Sequence, residues 1–95
     1  MSDEVASRVG DIFEIELREP GATGYRWAIG RLPPAVRLVE EQRQTSAAGR
    51  SGSTLNHTFR LRASEPGDYQ ITFELRRLWE KQSVEVKTMK VMARA

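Results

Sequence analysis

The sequence predicts an all-β domain built as an antiparallel sandwich, and three observations carry that expectation. Apolar residues recur at every second position in several separate segments. Clusters of turn-forming residues divide those segments at short intervals. No stretch carries the long apolar stripe of an amphipathic helix.

The strands follow in order. In DIFEIELRE, residues 11–19, Phe13, Ile15 and Leu17 fall on one face and Glu14, Glu16 and Arg18 on the other. Successive side chains of a strand point to opposite faces, so this reads as a strand with one buried side. In STLNHTFRLRA, residues 53–63, Leu55, His57, Phe59, Leu61 and Ala63 share a face. In DYQITFELR, residues 68–76, Tyr69, Ile71, Phe73 and Leu75 do the same. Further strands are expected at 25–29, 36–42 and 83–92. The segment 36–42 is ambiguous, since Val36, Val39 and Arg43 also fit a helix. The last strand changes phase between Val84 and Val86 on one side and Met89 and Val91 on the other, which predicts a bulge near Lys87–Thr88.

With 95 residues the chain is one domain, and residues 1–8, polar and acidic, read as a flexible N-terminal tail. There is no cysteine, which excludes disulfides, thiolate metal sites and a cysteine nucleophile. No apolar run suits a signal peptide or a membrane span. The expected compartment is cytoplasmic, or periplasmic or secreted if a leader has been removed. The net charge of +2 comes from 15 basic and 13 acidic side chains, interspersed. The arginines are less dense than those of nucleic-acid binders, so neither nucleic acid nor membrane is an expected partner. A monomer without cofactor is expected.

An enzyme is disfavoured. The single histidine, His57, lies on the inward face of a strand, where a satisfied core or edge group is the ordinary role. No nucleophile–base set follows from the spacing, and no cluster of metal ligands is present.

The connections carry more information. If each strand runs antiparallel to the one before, successive connections alternate between the two ends of the sandwich. The loops at 19–24, 45–53 and 77–82 then share one end. The proline-bearing turns with Pro33, Pro34 and Pro66 share the other. Three loops on a rigid β scaffold form a natural binding edge. In the first, Gly21 and Gly24 permit close approach and positive φ, and Thr23 is stiff at χ1. Tyr25 and Trp27 share a face; they suit the core, and would also pin the stem of the loop. Trp79, between polar neighbours, is a candidate contact residue.

These loops resemble those of the chagasin family of cysteine peptidase inhibitors. The first family loop reads Asn-Pro-Thr-Thr-Gly, then an aromatic and, two residues on, a tryptophan. Pro20, Gly21, Ala22, Thr23, Gly24, Tyr25, Arg26 and Trp27 align with it without a gap. Thr23, Gly24, Tyr25 and Trp27 match it; Pro20, Gly21 and Ala22 depart from it. The glycine-rich second loop is similar to Gly49, Arg50, Ser51 and Gly52 ahead of Phe59. The third, Arg-Pro-Trp, is similar to Arg77, Leu78 and Trp79, with leucine for proline. The stretches VGDIFEIEL and SEPGDYQITFELRR extend the likeness from Val9 to Met92.

The resemblance implies an immunoglobulin-like sandwich that occludes the cleft of a papain-like cysteine peptidase, its protein partner. Thr23 would lie near the catalytic cysteine. Arg77 and Trp79 would grip one side of the cleft, and the loop of Gly49, Arg50, Ser51 and Gly52 would cover the other. The departures imply weaker inhibition or a changed target. The alternative is an immunoglobulin-like module that binds another protein or ligand and has no peptidase target.

Overall fold

A computed structural model describes residues 3–20, 24–45, 54–77 and 79–95. Seven strands follow one another along the chain: β1 (Asp3–Arg8), β2 (Ile12–Pro20), β3 (Tyr25–Arg31), β4 (Val36–Thr45), β5 (Thr54–Ala63), β6 (Gly67–Arg77) and β7 (Glu85–Arg94). They form two sheets, a four-stranded one in the order β1-β7-β6-β3 and a three-stranded one in the order β2-β5-β4. All pairings are antiparallel except that of β1 with β7, which is parallel.

The core lies between the sheets and is built from the alternation in the sequence. Phe13, Ile15 and Leu17 on β2 and Phe59, Leu61 and Ala63 on β5 face Ile71, Phe73 and Leu75 on β6 and Met89, Val91 and Ala93 on β7. Full burial of each large apolar side chain contributes about 1.5–3 kcal/mol. Phe59 and Phe73 meet across the two sheets, ring centroids 4.9 Å apart. Trp27 on β3 and Val36 on β4 complete the cluster.

The N-terminal segment corrects one expectation. Residues 3–8, read as a tail, form β1 and extend the larger sheet, with Val5 opposite Val91. Val5 and Val9 pack against the core. Their period-two spacing is present in the sequence, but Ser7 between them on the same face hides it.

The expected bulge in β7 is absent. Pairing of β6 with β7 runs unbroken from Gly67↔Ala93 to Leu75↔Glu85. The change of phase has another cause: near the loop end the outward position is apolar and the inward one polar. Val86 is exposed, whereas the Lys87 Nζ sits 6.0 Å from the centre of the Trp27 ring at the rim of the core. Register shifts occur instead in β3, between Ile29 and Arg31, and in β4, between Leu38 and Glu40. The second leaves Val39 exposed and breaks the alternation of β4, which is why that segment also fits a helix on paper.

Register fixes the two ends. Pro20 pairs with Thr54, Leu55 with Thr45, and Tyr25 with Arg77, so the stems of the loops at 21–24, 46–53 and 78–84 lie at one end of their sheets. At the other end the Ser64 N–H donates to Ala35 O, and the Gly10 N–H to Ala63 O. The alternation of connections read from the sequence is the observed one. The loops themselves are shorter than expected at their starts, because β2 continues through Pro20, β4 through Thr45 and β6 through Arg77.

Candidate functional site

The loop end is organised from below by a buried ionic cluster. Glu19, placed by the sequence reading in the first loop, is the last inward residue of the series 13, 15, 17, 19 on β2 and is almost completely buried. Its Oε2 accepts the Trp27 N–H at 2.9 Å and lies 3.0 Å from His57 Nδ1. Its Oε1 accepts the Arg43 Nε–H at 2.6 Å and also meets the Arg43 Nη2. The other nitrogen of His57, Nε2, lies 2.8 Å from Glu41 Oε1. Each ring nitrogen of His57 thus faces a carboxylate oxygen. The ring stacks on Phe59 with centroids 4.2 Å apart.

Burial pushes the Glu19 carboxyl toward higher pKa. The Trp27 N–H, His57 and Arg43 outweigh that and hold it below the ordinary carboxylate value. Among the described residues no buried side-chain polar atom lacks a partner. His57 is therefore a satisfied core group, as its solitary place on an inward face suggests.

This cluster braces two loops at once. Glu19 and Trp27 stand on either side of the first loop, and the Trp27 indole Nε1–H also donates to Arg18 O at 2.7 Å. Arg43 and His57 stand on the strands that flank the second loop. The second-loop candidates Gly49, Arg50, Ser51 and Gly52 lie outside the described residues, as do Gly21, Ala22, Thr23 and Leu78.

Above the brace, Gly24, Tyr25, Arg77 and Trp79 come together. The Arg77 guanidinium lies 4.4 Å from the centre of the Tyr25 ring and 5.8 Å from that of Trp79. Arg77 Nη1 also donates to Glu80 Oε1 at 3.1 Å, and the Glu80 N–H returns to Arg77 O, closing the turn. Trp79 remains 72% exposed. Trp27 is 4% exposed and belongs to the core, while Tyr25 is half-buried at the rim. The two aromatics that flank the glycines thus divide the roles between them.

Gly24 has φ +82°, the left-handed region, and a Cβ built there would stand 3.1 Å from Trp79 Cη2. A side chain at Gly24 would be strained in its backbone and would require the indole to give way. Gly24→Ala is expected to lower stability by about 1–2 kcal/mol through backbone strain and to displace Trp79. Thermal melts and the emission of that exposed tryptophan would register both effects.

Sequence reasoning placed the stems of the three loops at one end but missed the brace. The signal was available: extending the inward series of β2 by one step puts Glu19 inside, across from the inward series of β5 that contains His57. Nothing in the sequence pointed to Arg43 or Glu41 as the remaining partners, because the β4 bulge scrambles the faces of that strand.

Known proteins agree with this architecture. The family model described as chagasin family peptidase inhibitor I42 matches residues 7–92. Among curated proteins no sequence matches the chain. The fold is similar to that of the cysteine protease inhibitor EhICP2 from Entamoeba histolytica, with a TM-score of 0.79 and 23% identity over 98% of this chain and 87% of that one. It is also similar to amebosin, at a TM-score of 0.72 and 22% identity over 96% and 88% of the two chains. PbICP-C, solved in complex with falcipain-2, gives a TM-score of 0.66 and 20% identity over 99% and 90%. The family match spans nearly the whole sandwich, and the chain belongs to the chagasin family of peptidase inhibitors.

Proposed function

We propose that the protein inhibits papain-like cysteine peptidases by laying its loop end across the active-site cleft. The observation that carries this reading is the meeting of Gly24, Tyr25, Arg77 and Trp79 at one exposed end of a sandwich whose family consists of peptidase inhibitors. The inhibitor in the PbICP-C structure is bound to falcipain-2, which supports the choice of target class.

In this reading Trp79 is the anchor. It is large, exposed, and steadied by Arg77, so it buries apolar area on docking with little loss of freedom. Gly24 lies beneath it, its lack of a side chain leaving the indole in place. Thr23, next before Gly24 in the chain, is assigned the place nearest the catalytic cysteine. The loop containing Gly49, Arg50, Ser51 and Gly52 is assigned the opposite wall. A rigid tip that crosses the nucleophile out of line for attack would block the cleft without being cut, because reaction requires near-attack geometry. The brace of Glu19, Arg43 and His57 holds the stems of the loops from below.

Titration of papain and a cathepsin-L-like peptidase with the protein tests the proposal. The expected result is competitive loss of activity with a Kd at or below about 1 μM, the inhibitor remaining uncleaved. Full activity in the presence of high micromolar protein would contradict it.

A further inference from the structure

We infer that the outer face of β3 and β6, next to the loop end, is a second contact region that recognises an acidic surface beside the cleft of the target peptidase. This rests on the reading of the protein as a peptidase inhibitor and concerns which peptidases it prefers.

Arg26 on β3 and Arg76 on β6 are direct partners across the sheet. Their neighbours Trp27 and Leu75 point into the core, so both arginines project from the opposite, outer face. Like charges placed directly opposite one another destabilise a sheet. The usual relief is a nearby carboxylate, and here it is missing: among the described residues neither arginine forms an ion pair. Glu74 stands on the same face opposite Ala28. Its carboxylate is turned over Gly30 and receives the Ser83 hydroxyl at 3.4 Å. Arg76 makes one long bond, 3.4 Å, to the carbonyl of Glu80, whose carboxylate is taken by Arg77.

The position of the pair points to its use. Arg26 is adjacent to Tyr25 and Arg76 to Arg77, and Tyr25 pairs with Arg77 at the top of the same two strands. The basic pair thus lies one step below the cluster that holds Trp79. On β7, which flanks β6, Val86 opposite Glu74 is 56% exposed, and Val84 just before the strand is 59% exposed. A partner that covers Trp79 and continues down this face would meet two unpaired positive charges and then two exposed valines. A carboxylate-bearing surface complements the charges, relieves their mutual repulsion and speeds encounter. Acidic flanks beside the cleft would then decide which peptidases are captured fastest.

The double variant Arg26→Gln/Arg76→Gln tests this, assayed against one papain-like peptidase with an acidic surface beside its cleft and one with a neutral surface there. Wild-type protein should inhibit both. The variant should associate about tenfold more slowly with the acidic-flanked enzyme at low salt, with a flatter dependence of rate on ionic strength. Its association with the neutral-flanked enzyme should be unchanged, and its melting temperature equal to or above that of wild type. Equal association rates and salt slopes for variant and wild type with both enzymes would overturn the inference while leaving the inhibitor reading intact. A wild-type protein that inhibits neither enzyme would remove both. Loss of heparin binding, or of a wild-type dimer in sedimentation, without any change toward the peptidases would assign the pair to a polyanion or to a second copy of the chain, and so would also overturn it.

Discussion

Glu19→Ala should lower folding stability by about 3–5 kcal/mol, the range found when one partner of a buried ion pair is removed. The carboxylate is the common acceptor for Arg43, His57 and the Trp27 N–H. Its loss strands three donors, two of them buried. Glu19→Gln keeps the shape and one acceptor oxygen, and should cost less, about 2 kcal/mol. The pH dependence has a definite sign. The folded protein holds the Glu19 carboxyl below its ordinary value of 4.5. The folded state therefore binds the proton less readily than the unfolded chain. The stabilisation is fully present above the ordinary value and is lost as pH falls through the lower, folded one. Urea melts between pH 7 and pH 3 should show stability falling on the acid side for the wild type. Glu19→Gln should have a shallower acid limb, since the group responsible has been removed. Identical acid limbs would show that another carboxylate governs acid unfolding.

Trp79→Ala should do the reverse, with a large effect on binding and almost none on the fold. At 72% exposure the indole buries little in the free protein, so its removal should change stability by no more than about 0.5 kcal/mol. Removal of an anchor tryptophan from the centre of an interface costs upward of about 2 kcal/mol, or roughly thirtyfold in Kd, and mostly through faster dissociation. The inhibition constant against papain and the melting temperature separate the two effects. A variant that unfolds would show that Trp79 is a structural cover for Gly24 and the first loop. A variant that inhibits as wild type does would place the anchor elsewhere.

The sandwich was legible wherever one side of a strand faces the core along its whole length. The alternations of β2, β5 and β6 identify those strands and their inward faces, and the parity of the connections places three loops at one end. Legibility failed where a strand extends beyond the core. The phase change in β7 reads as a bulge because Val84 and Val86 are apolar yet exposed, and β1 reads as a tail because only Val5 and Val9 mark its inner side. At the loop end, Trp79 and Arg77 announce themselves by their chemistry, and Gly24 by its place between Thr23 and Tyr25. The brace does not, since a buried Glu–Arg–His cluster depends on pairings between strands far apart in sequence. The inward series of β2 and β5 place Glu19 and His57 on one inward face, but the shift in β4 hides Arg43 and Glu41 from any local pattern.

The two tryptophans offer the most direct measurement. In oxidative footprinting of the free protein, the exposed Trp79 should react readily and the buried Trp27 hardly at all. On saturation with active papain, Trp79 should become strongly protected while Trp27 stays as it was. Papain whose cleft is filled by a covalent substrate analogue should give no such protection. Equal reactivity of Trp79 with and without the peptidase would contradict the claim that this end of the molecule closes the cleft.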